Sequence, residues 1–103
     1  MPLYSYSSPV KPKKIKMITI DLSTARTDET IFSGYITSVT IIEKGEGVFT
    51  LKFVYLDGST EEYTQDELLS GMVIENIVKE IRCTNNAQTG VTNPKIAVEY
   101  EVR

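Results

Sequence analysis

Between residues 48 and 56, apolar and polar side chains alternate without a break. Phe49, Leu51, Phe53 and Tyr55 take one phase, and Val48, Thr50, Lys52 and Val54 take the other. Successive side chains of a strand point to opposite faces, so this segment reads as a β-strand with one buried face. The preceding segment, 31–43, is rich in Ile, Val, Thr and Tyr, residues that fit a pleated surface. Gly45 and Gly47, on either side of Glu46, read as a short hairpin loop between the two. Asp57-Gly58 is a strong hairpin signal, expected as a type I′ turn into a third strand at 59–64. That strand is short and highly charged, as an edge strand is when pairing with other chains is suppressed. Residues 31–63 are therefore expected to form a continuous three-stranded meander.

The flanks extend the same pattern. In 15–22, Ile18, Ile20 and Leu22 share one face, and Ile15, Met17 and Thr19 the other, which predicts a strand at least partly covered on both faces. Residues 23–30 are polar and aperiodic, and read as a loop. Asp66-Glu67-Leu68-Leu69, stopped by Gly71, reads as one helical turn or a 3₁₀ loop. Residues 72–77 and 78–84 make two short strands or one bent one, with Ile77, Lys79, Ile81 and Cys83 alternating against Val78, Glu80 and Arg82. A turn follows at 85–90. The last strand, 95–103, points Ile96, Val98, Tyr100 and Val102 inward and Ala97, Glu99 and Glu101 outward. The fold class is all-β: a single antiparallel β-sandwich or jelly-roll-like barrel of about seven to eight strands. Its expected core is the Phe49/Leu51/Phe53/Tyr55 face against Ile96, Val98 and Tyr100 and the Ile18/Ile20/Leu22 face.

Composition changes the picture in two ways. One hundred and three residues, 41% of them hydrophobic, suffice for one domain with its own core. No apolar run approaches a membrane span, no secretory signal is visible and the single cysteine excludes an internal disulfide framework. A cytoplasmic or virion-interior origin therefore fits better than secretion, with a bacterial exoprotein lacking disulfides as the alternative. Charge, secondly, is unevenly spread. Residues 1–16 hold four of the eleven basic residues and no acid, a charge of +4; the remaining seven against fourteen acids leave −7 for the rest. The same segment carries Pro2, Pro9 and Pro12, which favour extended chain. Residues 1–14 thus read as an N-terminal arm on a domain at 15–103. The arm is either a solvated tail or an element that orders on an acidic neighbouring surface. Nucleic acid is a poorer partner, because the body is acidic.

Candidate chemistry is sparse. There is no histidine and a single cysteine, which removes Ser-His-Asp and Cys-His catalysis, a zinc site and an internal disulfide. No phosphate-binding glycine loop occurs. Glu43, Glu46, Asp57, Glu61, Glu62, Asp66, Glu67 and Glu75 match no calcium-loop spacing and read as solvated acids. Cys83, on an alternating strand, reads as a small buried apolar residue. No catalytic residue, cofactor or metal is expected. Phe49, Phe53, Tyr55 and Tyr100 are in phase with the core, which leaves Tyr4, Tyr6 and Tyr35 as aromatic contact candidates.

Three phrases carry a resemblance. IleAspLeuSerThrAlaArgThrAspGlu at 20–29, IleThrSerValThrIle at 36–41 and ThrAsnAsnAlaGlnThrGly at 84–90, before a final alternating strand, resemble small β-rich proteins of tailed phages and prophages. The likeness spans 17–102 and implies a virion-associated structural or assembly protein, such as a capsid decoration or a head or tail component. It carries over no catalytic or binding residue. The expected partners are copies of the same chain in a homo-oligomer, or a larger capsid or tail protein. The contact residues expected from charge and exposed apolar positions are Tyr4, Tyr6, Val10, Lys11, Lys13, Lys14, Val48 and Val54. A small module recognising glycans is the alternative.

Overall fold

The computed structural model of the chain describes residues 14–45, 48–85 and 93–102. These form β1 (Lys14–Asp21), β2 (Arg26–Glu43), β3 (Phe49–Tyr55), β4 (Thr60–Thr64), β5 (Val73–Ile74), β6 (Val78–Asn85) and β7 (Lys95–Val102), with one 3₁₀ turn at Gln65–Glu67. All strand pairs are antiparallel. They lie in one seven-stranded sheet of order β1-β7-β2-β6-β3-β4, with β5 pairing β2 off that path. The all-β, single-domain expectation holds. The turn expected at 85–90 lies, beyond Asn85, outside the described residues.

The eighteen-residue β2 organises the sheet, and its start at Arg26 corrects the loop expected at 23–30. Its first part, from Arg26 to Ile36, pairs with β6, and its second part, from Tyr35 to Glu43, pairs with β7. Register shifts between Ser33 and Ile36, and again between Ile36 and Ser38, mark the handover. Bulges of this kind bend a strand and raise its twist. One continuous strand thereby serves two halves of the sheet, β4-β3-β6 on one side and β7-β1 on the other.

The polar stretch before Ile31 is in the sheet because a second strand holds it. Asp28 adopts a left-handed backbone conformation (φ 47°), which a carboxamide- or carboxylate-bearing residue tolerates better than most. Its backbone N–H donates to Thr84 Oγ1 at 2.9 Å, and Arg82 donates both to its carboxylate and to its backbone carbonyl. Local periodicity could not reveal this, since the partners lie more than fifty residues away.

The expected meander is corrected in the same way. β6 is inserted between β2 and β3, so these two are not a hairpin, and the Gly45 turn joins non-neighbours. Gly47 and Glu46 lie outside the described residues. β3 and β4 do form a hairpin, with a different turn from the one expected. Tyr55 accepts from Gly58 N–H at 2.9 Å, and Ser59 accepts from Tyr55 N–H at 2.9 Å. Only Gly58 (φ 90°) has positive φ in this loop, so it is a three-residue loop closed by a glycine, and type I′ does not apply.

The core keeps the expected faces of β3 and β7, adds Ile36, Val39 and Ile41 of β2, and leaves Ile18, expected within it, exposed. Leu22, Ile36, Val39, Ile41, Phe49, Leu51, Phe53, Ile81, Cys83, Ile96 and Val98 are buried in one cluster with Leu68, Ile74 and Val78. Tyr55, Tyr100 and Ile20 are half-buried against it. Ring contacts support the two ends: Phe53 with Tyr63 at 5.7 Å and Phe32 with Tyr100 at 4.8 Å between centroids. On β6, Val78 is buried and Ile77 is not. The register slip beside Val54/Tyr55 reverses the alternation before Glu80, while Ile81 and Cys83 keep the core phase. On β7, Val102 is exposed at the strand end and Ala97 is buried.

Candidate interaction surface

Three features of the surface carry chemistry, and each is built by strand pairing. The first is a line of charges across the outer face of β4, β3, β6 and the first half of β2. Lys52 stands opposite Glu62 and Arg82, and Arg82 stands opposite Thr30. Arg82 Nε reaches Asp28 Oδ1 at 2.9 Å, and its Nη1 reaches Glu80 Oε2 at 2.8 Å and Thr30 Oγ1 at 3.0 Å. Lys52 Nζ lies 3.7 Å from both Asp28 and Glu62. Hydrogen bonding by Arg82 holds the Asp28 carboxyl below its ordinary range, and the Thr30 hydroxyl does the same for Glu80. Every charge in the line has a partner, so its members are arranged to hold the face together.

The second feature is a shallow cleft of about 530 Å³ lined by Tyr55, Leu56, Asp57, Ser59, Glu61, Asn76 and Ile77. Tyr55 and Tyr63 both donate their hydroxyls to Glu61 Oε1, at 2.6 and 2.8 Å. These bonds lower the Glu61 pKa. The Tyr55 hydroxyl is pushed up by burial first and by Glu61 second, and Tyr63 by its bond to Glu61. Both shifts move away from neutrality, whereas an acid–base pair working near pH 7 needs its members moved towards it. The trio therefore reads as a clamp between β3 and β4. Cys83 is equally unsuited to chemistry, because burial raises its thiol pKa and its side chain lies in the core. Among the described residues, no group of three or more acids or cysteines could hold a metal ion.

The third feature is the β1 end of the sheet. β1 pairs only with β7 among the described residues, and seven of its eight residues are exposed. The expectation that both faces are at least partly covered is corrected for the outer face, while on the core side Ile20 is half-buried and Leu22, just past the strand, is buried. Ile15 is 53% and Met17 64% exposed on the outer face, and even Ile18, on the core side, is 40% exposed. Further along that outer face, Ile42 and Val73 are also exposed. Thr19, Ala97 and Thr40, paired in register, fill the space between with small side chains.

Of the contact residues expected from sequence, Lys14 is the first residue of β1 and is exposed. Val54 is half-buried on the charged outer face of β3, and Val48 is exposed just before that strand. The structure does not bring Lys14 together with either valine, since β1 and β3 lie near opposite ends of the sheet order. Tyr4, Tyr6, Val10, Lys11 and Lys13 lie outside the described residues. Tyr35 is half-buried on β2, opposite Glu101 of β7. Sequence reasoning misses Ile15, Met17 and Ile18 of β1 as contact candidates. Their apolar character on two faces is the available signal, and it reads as coverage within the fold.

No protein-family model matches the sequence, and no curated protein matches it. Among solved structures, the chain is similar to one from Bacillus endospore appendages, which form a novel family of disulfide-linked pili. The match covers 100% of both chains at 15% identity, with a TM-score of 0.56. At that identity the likeness is one of fold.

Proposed function

We propose that the protein is a non-enzymatic structural subunit that assembles with copies of itself, as a component of a virion-associated or appendage-like particle. The observation that carries this reading is β1: an eight-residue edge strand that carries apolar residues on both faces and is exposed almost throughout. A long exposed apolar edge is a ready template for another chain, and soluble monomers normally blunt or cover it. Two lines of support stand beside it. The full-length fold likeness is to a protein of pili, and the phrases at 20–29, 36–41 and 84–90 resemble phage and prophage proteins.

Assembly of this chain would be non-covalent. Its one cysteine is buried in the core, and one cysteine per subunit could join copies only in pairs. Light scattering across micromolar concentrations, with negative-stain microscopy, tests the reading. Concentration-dependent multimers unaffected by reductant are expected. A monomer throughout, or a tyrosine-dependent hit on a glycan array from such a monomer, contradicts it and favours the small glycan-binding module.

A further inference from the structure

We infer that the partner of the β1 edge is the β4 edge of a second copy, giving a head-to-tail contact that extends the sheet from one subunit into the next. This rests on the self-assembly reading and adds to it which two surfaces meet. β1 and β4 are the two ends of the same hydrogen-bonded path, and among the described residues neither has a second strand neighbour. In each, every other residue turns its N–H and C=O away from the one partner it has. Two unpaired strand edges on one molecule satisfy each other when copies line up, which is recognition by strand addition.

Charge selects this pairing over its alternative. β1 carries Lys14 and Lys16 against Asp21, a balance of +1, and Asp21 already accepts from the Ser23 backbone and hydroxyl. β4 carries Glu61 and Glu62 and no base, a balance of −2, with Glu61 accepting from Tyr55 and Tyr63 and Glu62 lying 3.7 Å from Lys52 of β3. A β1–β1 contact would join two edges of the same net sign, and a β4–β4 contact two acidic edges. The two lysines leave β1 attractive to an acidic edge. The individual charge pairs are weak and salt-screened, so they choose the partner and the main-chain bonds hold it. Because the two surfaces differ, the contact is heterologous, and repetition gives a ring or an open filament. This departs from the two-fold dimer that a self-complementary edge would form.

The test is a charge exchange in the full chain. K14E/K16E makes the β1 edge acidic, and T60K/E62K makes the β4 edge basic, giving up the exposed Lys52–Glu62 pair and leaving the Glu61 clamp untouched. Sedimentation velocity at low salt should show the unaltered protein forming species beyond a dimer. Each variant alone should associate at least about tenfold more weakly, since like charges then face each other. An equimolar mixture should recover assembly, because each variant's altered edge matches the other's. Urea midpoints close to that of the parent show that both variants fold. Should the parent assemble while either variant does so equally well, or the mixture stay dissociated, the edge pairing is wrong and self-assembly stands. A parent that stops at dimers indicates a β1–β1 contact and also overturns the pairing. A parent monomeric at all concentrations overturns the self-assembly reading itself.

Discussion

At the β4 end of the sheet the outer face is a connected set of charges, whereas at the β1 end it presents Ile15, Met17 and Thr19 opposite Glu101, Glu99 and Ala97. Both ends are built on the same strand, β2, and share one core. At the first end Lys52 and Arg82 draw Asp28, Glu62 and Glu80 into mutual contact, so the polar groups are satisfied within the subunit. At the second end, among the described residues, little on β1 is satisfied beyond its pairing to β7. The contrast separates residues that stabilise the subunit from residues that the subunit exposes for contact. Position on a surface does not distinguish the two; the presence of intramolecular partners does.

The largest effect should come from the core that joins the halves. Phe53→Ala removes a fully buried ring that contacts Tyr63, and should cost about 3–5 kcal/mol. Urea melts followed by a probe in each half should still coincide, because the cluster is continuous. Two separate transitions would show that the halves fold independently and that the contrast is one between domains.

Next comes association. Met17→Gln should leave the urea midpoint nearly unchanged, within about 0.5 kcal/mol, as exposed substitutions usually do. It should weaken multimer formation strongly in light scattering. Val48→Lys, also at an exposed position, should leave association intact. Equal loss from both would mean that the β1 end has no special part in assembly.

A smaller effect concerns acid. Asp28, Glu80 and Glu61 all have lowered pKa values, caused first by hydrogen bonds from Arg82, Thr30 and Tyr55 respectively. A carboxyl with a depressed folded pKa contributes stability that is complete above its unfolded value, about 4, and is lost as pH falls through the folded value. Melting temperature should therefore drop as pH falls below about 4, more gently in Arg82→Met than in the parent. A parent whose melting temperature is flat down to about pH 2 would remove the charged face as a source of stability. The smallest expected change is none: reductant should leave assembly as it was, since the Cys83 thiol is buried. Dissociation on reduction would place a disulfide in the contact.

Several features are legible in the amino-acid order alone. The faces of β3 and β7 follow directly from alternation: Phe49, Leu51 and Phe53 are buried, as are Ile96 and Val98. The acidic edge strand β4, a glycine-bearing turn at Asp57-Gly58 and the burial of Cys83 are equally readable. Each depends on interactions within a strand or across a short turn, where the side-chain period reports which face meets the core. Period two is silent about neighbours. That β6 lies between β2 and β3 depends on pairings across more than twenty residues, and that the polar Arg26–Thr30 stretch is strand and Asp28 is held by Arg82 depends on pairings across more than fifty. Whether a strand is interior or edge is likewise a property of sheet order. For that reason the apolar residues of β1 predict a strand at least partly covered on both faces, and only its place at the end of the sheet, with β7 its one strand neighbour among the described residues, accounts for its exposure.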